Sequence, residues 1–251
     1  MRRSGNHAVI DWLRRNLSDR TVFLNDCAAG DPYASFQTLE TPQGDRHGPC
    51  FRATRWYGQF DAGRERFDHV VSYEDAVPGA EPSGWRGAWR TVVIHRSFLA
   101  WLASYYVLVV HRQGGTRWGV TDPAEILPRI ETYAALLNAP ADASVSLDRW
   151  AEGPAYRRSV LDALAVVPRD DRVGEQSDYG GGSSFRPGRR PPTVADLAGR
   201  WRALANDPAF EGIARHCARN DAFMRGLATV YPEDAARLTD LARGGRLRYM
   251  R

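Results

Sequence analysis

Six residues near the start of the chain, Arg2-Arg3-Ser4-Gly5-Asn6-His7, combine two guanidinium groups, a hydroxyl and a glycine ahead of a helical pattern. A helix beginning near His7 would aim its unsatisfied amides, and the positive end of its dipole, at whatever lies over Ser4-Gly5. That arrangement favours an anion, and Arg2 and Arg3 add charge at the same spot. Serine ahead of a helix is also an ordinary N-cap, so this stretch acquires a functional meaning only in company.

The company comes later in the chain. Val92-Val93-Ile94-His95-Arg96 reads as a strand that ends in arginine, and Phe98 to Val109 suit a helix with Ser104 two turns in. A guanidinium fork at a strand's carboxyl end, with a hydroxyl eight residues on, can hold a phosphate. The competing reading pairs Arg96 with a carboxylate and leaves Ser104 as a small helix residue. A third stretch, Gly180 to Gly188, carries Ser184, Phe185, Arg186 and Gly188 ahead of a helical segment with Arg200-Trp201. On composition alone it is equally a Gly-rich linker.

In this order, the three stretches resemble the sulfotransferase family, whose members use 3′-phosphoadenosine 5′-phosphosulfate (PAPS) as sulfuryl donor. The resemblance runs from Arg2 to Trp201. It implies a P-loop nucleotide-kinase-like fold in which Arg2, Arg3, Ser4, Gly5, Asn6 and His7 hold the phosphosulfate. Arg3, at the family's basic position, would neutralise the bridging oxygen as it leaves. Arg96 and Ser104 would bind the 3′-phosphate, and Ser184, Phe185, Arg186 and Gly188 would close over the nucleotide. Asn6 and His7 stand where many members carry threonines, and Pro187 interrupts the late loop.

Such a transfer needs a general base for the acceptor hydroxyl and no metal. Relatives place it at the end of a strand between the two phosphate motifs, which here reads His69-Val70-Val71-Ser72-Tyr73-Glu74-Asp75. Glu74 is the expected base, with Asp75 second and His7 a further candidate. His69 begins the strand and would face the wrong end. The acceptor would be a glycan or another small molecule bearing a hydroxyl.

The elements that must position these groups are legible as an α/β alternation. Strand-length apolar runs occur at Thr21 to Leu24, His69 to Tyr73, Thr91 to His95 and Ser144 to Leu147. Helical stripes lie between and after them: Val9, Leu13 and Leu17, then Ile126, Ile130, Tyr133 and Leu137. Continuous apolar strands suit a parallel sheet flanked by helices, with ligands bound beyond the strands' carboxyl ends. One domain over residues 1–251 is expected, with an irregular acceptor-side segment at 26–63 containing Trp56, Tyr57 and Phe60, and a cofactor-covering loop at 176–192. After that loop two stripes are expected, Val194, Leu197, Trp201 and Leu204, then Phe210, Ile213, Cys217 and Met224.

Composition narrows the alternatives. All 34 basic residues are arginine, the formal charge is +4, and no lysine is present. A P-loop nucleotide kinase or hydrolase is the main rival, but G-x-x-x-x-G-K-[ST] is absent and its lysine cannot be supplied. A catalytically inactive nucleotide-binding relative is a second alternative. Arginines scattered without a stripe argue against nucleic acid. Cys27, Cys50 and Cys217 are widely spaced and suit structural thiols in a reducing cytoplasm. No apolar run reaches the roughly 18 to 20 residues of a membrane span, and no secretory h-region follows Met1. A phosphate loop of this kind follows a buried strand, yet only Met1 precedes Arg2. The expectation is that the first strand is truncated and is encoded upstream in a longer natural chain.

Overall fold

Helix α1, Asn6–Asn16, presents Val9, Trp12 and Leu13 on one face, a spacing that matches the 3.6-residue turn, and all three are buried. They pack against Val145, Leu147, Trp150, Val160 and Leu161, with the Trp12 and Trp150 rings edge to face at 6.0 Å. Each large side chain so buried contributes about 1.5–3 kcal/mol relative to exposure. The protein is described as a computed structural model over residues 5–74, 76, 88–108, 126–173 and 199–247.

The fold is mixed α/β. Strands β1 (Thr21–Asn25) and β4 (Asp68–Val71) are parallel, with Phe23 opposite Val70 and Leu24 opposite Val71. Strands β5 (Val92–His95) and β6 (Ala143–Ser146) form a second parallel pair, with Ile94 opposite Val145. All four expected strands are present within one or two residues of their expected ends. The expected single parallel sheet, however, is described as two sheets, one ordered β3-β2-β1-β4 and the other β5-β6.

The antiparallel strands are β2 (Thr38–Glu40) and β3 (Arg46–His47), joined by a turn whose Gly44 has φ +90°. They correct the expectation of an irregular 26–63 segment, which also contains α2 (Pro32–Ser35) and α3 (Arg55–Ala62). Elements of two to four residues are too short to display a period. Buried Glu40 on β2 accepts from Arg14 of α1 at 2.6 Å and from Arg46 of β3 at 2.9 Å.

Helices α4 (Phe98–Tyr106), α5 (Leu127–Leu137), α6 (Leu147–Glu152) and α7 (Pro154–Ala163) surround the second pair. The carboxyl-terminal part adds α8 (Pro208–Cys217), α9 (Asp221–Val230) and α10 (Pro232–Ala242). The stripe expected from Phe210 to Met224 is thus broken in two, because the Asn220 side chain accepts from Phe223 N and starts a new helix. Trp201 and Leu204 lie on a 3₁₀ turn, Arg200–Leu204, rather than an α-helix. Trp101, Trp201, Tyr106 and Tyr133 are the largest members of the main core here. No helix among the described residues is long and apolar enough to cross a membrane.

Candidate functional site

Gly5 begins α1 with φ +81° and ψ +19°, a left-handed conformation that glycine adopts without a Cβ penalty. A Cβ on Gly5 would also lie 2.3 Å from Cδ2 of Leu147. Conformation and close approach therefore both demand glycine. Because Leu147 immediately follows β6, the contact seats the start of α1 over the carboxyl end of that strand. Gly5 offers no side-chain cap, and the first turn of α1 carries no acidic residue, so its amides keep their attraction for an external anion.

Glu74 reaches the same helix end from β4. Its Oε1 lies 3.5 Å from Nδ2 of Asn6 and 3.5 Å from Nε2 of His7. At that length the Asn6 contact is a weak hydrogen bond and the His7 contact a close approach, and the helix dipole adds a favourable field for the carboxylate. The segment that delivers Glu74 is firmly held. Ser72 donates its hydroxyl to Asn25 Oδ1 at 3.0 Å and accepts from Asp26 N, while its backbone pairs with Leu24 O and Cys27 N. Asp26 takes φ +51° to make that crossing. Next to Glu74, burial pushes the Tyr73 phenol up to about 12.

Arg96 and Ser104 lie differently. Each is 2% exposed. The Arg96 carbonyl accepts from the Tyr133 hydroxyl at 2.6 Å. Burial lowers the pKa of its guanidinium, against the opposing fields of Asp148, Tyr231, Tyr133 and Asp234. Two of those groups also close the start of α4: Asp148 Oδ2 accepts from Ser97 N at 2.6 Å, and Asp234 Oδ2 from Leu99 N at 3.1 Å. The amides that a phosphate would use there already hold carboxylates. Asp234 is pushed up to about 6 by burial, opposed by its hydrogen bond from Leu99 and the nearby Arg237.

A buried polar chain continues beneath them. His95 Nδ1 lies 2.7 Å from the Tyr231 hydroxyl, and Nε2 lies 2.9 Å from Ser144 Oγ. Tyr231 donates in turn to Ser146 Oγ at 3.1 Å. Burial lowers His95 to about 4, so the ring is neutral at pH 7. A proton on Nδ1 then satisfies every member, with Ser144 donating to Nε2.

Of the residues singled out in the sequence, Gly5, Asn6, His7 and Glu74 come together, while Arg96 is buried just ahead of α4 and Ser104 is buried within it. Arg2, Arg3, Ser4, Asp75, Ser184, Phe185, Arg186 and Gly188 lie outside the described residues. His69 sits at the amino end of β4, as expected, where Nε2 lies 2.9 Å from the Tyr33 hydroxyl and burial lowers it to about 4. Tyr57, offered as an acceptor-side aromatic, donates to Tyr33 O and packs in the small core over β1, whereas Trp56 is 73% exposed.

Sequence reasoning missed Leu147, Asp148 and Asp234. Each acts on a partner 51 to 142 residues distant, and no local spacing signals it.

No family model, no curated protein and no solved structure matches the chain.

Proposed function

We propose that this protein transfers a sulfuryl group from PAPS to a hydroxyl of a glycan or another small molecule. One observation carries the reading: Glu74 stands against the glycine-opened, acid-free start of α1, at the carboxyl ends of the parallel strands. A helix start without its own acid is a seat for an anionic group, and a carboxylate beside it is placed to take a proton from an acceptor hydroxyl.

The residues present fit the donor unevenly. At the phosphosulfate end, the Gly5 turn and the following amides suit the group, with Asn6 and His7 as side-chain donors. At the 3′-phosphate end, Asp148 and Asp234 occupy the amides of α4, and the Arg96 guanidinium is buried among them. A 3′-phosphate there has to displace a carboxylate. Glu74 is the proposed general base, and Arg3, by its place in the family-like loop, is the proposed partner of the leaving oxygen.

The test is transfer of radiolabelled sulfate from the donor to a panel of sugars, phenols and tyrosine peptides. Label appearing on a hydroxyl acceptor, lost in Glu74→Gln, supports the reading. Release of phosphate from ATP with magnesium, without any sulfuryl transfer, would favour the kinase or hydrolase alternative.

A further inference from the structure

The start of α4 repeats the local features of the start of α1. Ser97 gives no side-chain cap, and the first turn carries no acidic residue. By those features alone it is a second seat for an anion. Its surroundings differ. Asp148, in the first turn of α6, and Asp234, in the first turn of α10, bring carboxylates to the Ser97 and Leu99 amides at 2.6 and 3.1 Å. Three helix starts therefore meet at one spot, and the protein's own acids neutralise it. At the start of α1 the arriving carboxylate, Glu74, approaches side chains instead, Nδ2 of Asn6 and Nε2 of His7, each at 3.5 Å.

The cation beside α4 is committed as well. Arg96 is buried, and Asp148 is the largest of the fields that sustain its charge against desolvation. Tyr133 of α5 donates to its carbonyl, and Ser104, two turns into α4, is also buried. The second oxygen of Asp148, Oδ1, is buried without a hydrogen-bond donor among the described residues. A phosphate entering here is repelled by that oxygen and by Asp234, and finds the Ser97 and Leu99 amides already bonded. Expelling Asp234 leaves a buried acid without its amide partner.

We propose that the start of α4 is an internal anion site filled by Asp148 and Asp234, and that the nucleotide site takes adenosine 5′-phosphosulfates with or without a 3′-phosphate. The proposal rests on the donor reading above and widens its substrate class: the 5′-phosphosulfate is recognised at α1, and the 3′ position is not read at α4. A 3′-hydroxyl serves as well as a 3′-phosphate, because the phosphate gains neither the Arg96 fork nor the α4 amides.

Calorimetry in magnesium-free buffer with adenosine 5′-monophosphate and 3′-phosphoadenosine 5′-phosphate tests this, since the pair differs only in the 3′-phosphate. On the full chain the two dissociation constants are expected to agree within about threefold, and Gly5→Ala to weaken both by at least about tenfold. Amide hydrogen exchange at Ser97 and Leu99 is expected to stay the same at saturation with either nucleotide. Asp148→Asn is expected to speed it at Ser97, because a neutral amide oxygen accepts more weakly than a carboxylate. A preference for 3′-phosphoadenosine 5′-phosphate beyond about threefold, or slowed exchange at Ser97 and Leu99 when it binds, would overturn the specificity and leave the donor reading standing. Unchanged exchange at Ser97 in folded Asp148→Asn would overturn the internal site. Binding of neither nucleotide would remove the donor reading and this specificity together.

Discussion

Oε1 of Glu74 lies 3.5 Å from Nε2 of His7, which joins the end of β4 to the first turn of α1. A carboxylate held there can accept a proton without leaving the helix field that orients it. Glu74→Gln keeps the shape and removes the basicity. Turnover is expected to fall by about 10²-fold or more, with nucleotide affinity within about threefold of the parent. Steady-state kinetics and calorimetry on the same preparation separate the two; unchanged turnover would remove Glu74 from the chemistry.

Gly5 is constrained twice, so its variants separate the causes. Gly5→Ala meets both the left-handed backbone and the Leu147 side chain, and is expected to cost about 2–4 kcal/mol. Adding Leu147→Ala relieves the overlap but not the backbone strain. Denaturant unfolding of the double-mutant cycle should therefore show a coupling of at least about 1 kcal/mol. Additive effects would contradict the close approach.

How the sequence reveals the site follows from the reach of each signal. Asn6, His7 and Glu74 are legible because a helix start and a strand end are local patterns, and the fold brings those two ends together. Thr21 to Leu24 and Ser144 to Leu147 announce their strands as unbroken apolar runs. What closes the start of α4 is not legible, because Asp148 and Asp234 lie 51 and 135 residues from the amides they bind. The β2–β3 hairpin escapes for the opposite reason: three residues paired with two show no period.

Asn16 ends α1 and fastens the segment after α7 to it. Its side chain accepts from Arg169 N and Asp170 N at 2.8 and 3.0 Å, and donates to Trp12 O and Asp170 O at 2.9 and 2.8 Å. Asn16 itself is 2% exposed, so its side chain makes these bonds away from water. Asn16→Ala is expected to destabilise by about 2–4 kcal/mol. A loss under about 0.5 kcal/mol in chemical denaturation would show that the segment does not depend on this amide.

His95 and Asp234 give opposite slopes to the acid response. The His95 folded value, about 4, lies below its unfolded 6.5. Its contribution is therefore complete above 6.5 and is lost as pH falls towards 4. Asp234 is raised from 3.8 to about 6. Its stabilising effect is complete below 3.8 and is lost as pH rises through 6. Between pH 6 and 4 the two partly cancel. Relative to the parent, Asp234→Asn should steepen the loss of stability over that range, and His95→Asn should flatten it. Thermal midpoints at half-unit pH steps check both slopes, and parallel curves would show that neither group titrates as its burial requires.

The central claim, an adenine nucleotide phosphosulfate seated on the start of α1, is tested most directly by titrating the purified protein with 3′-phosphoadenosine 5′-phosphate in magnesium-free buffer by calorimetry. The account predicts saturable one-to-one binding that is weakened at least about tenfold by Gly5→Ala. A folded protein that ignores this nucleotide, yet binds ATP only when magnesium is added, would contradict it.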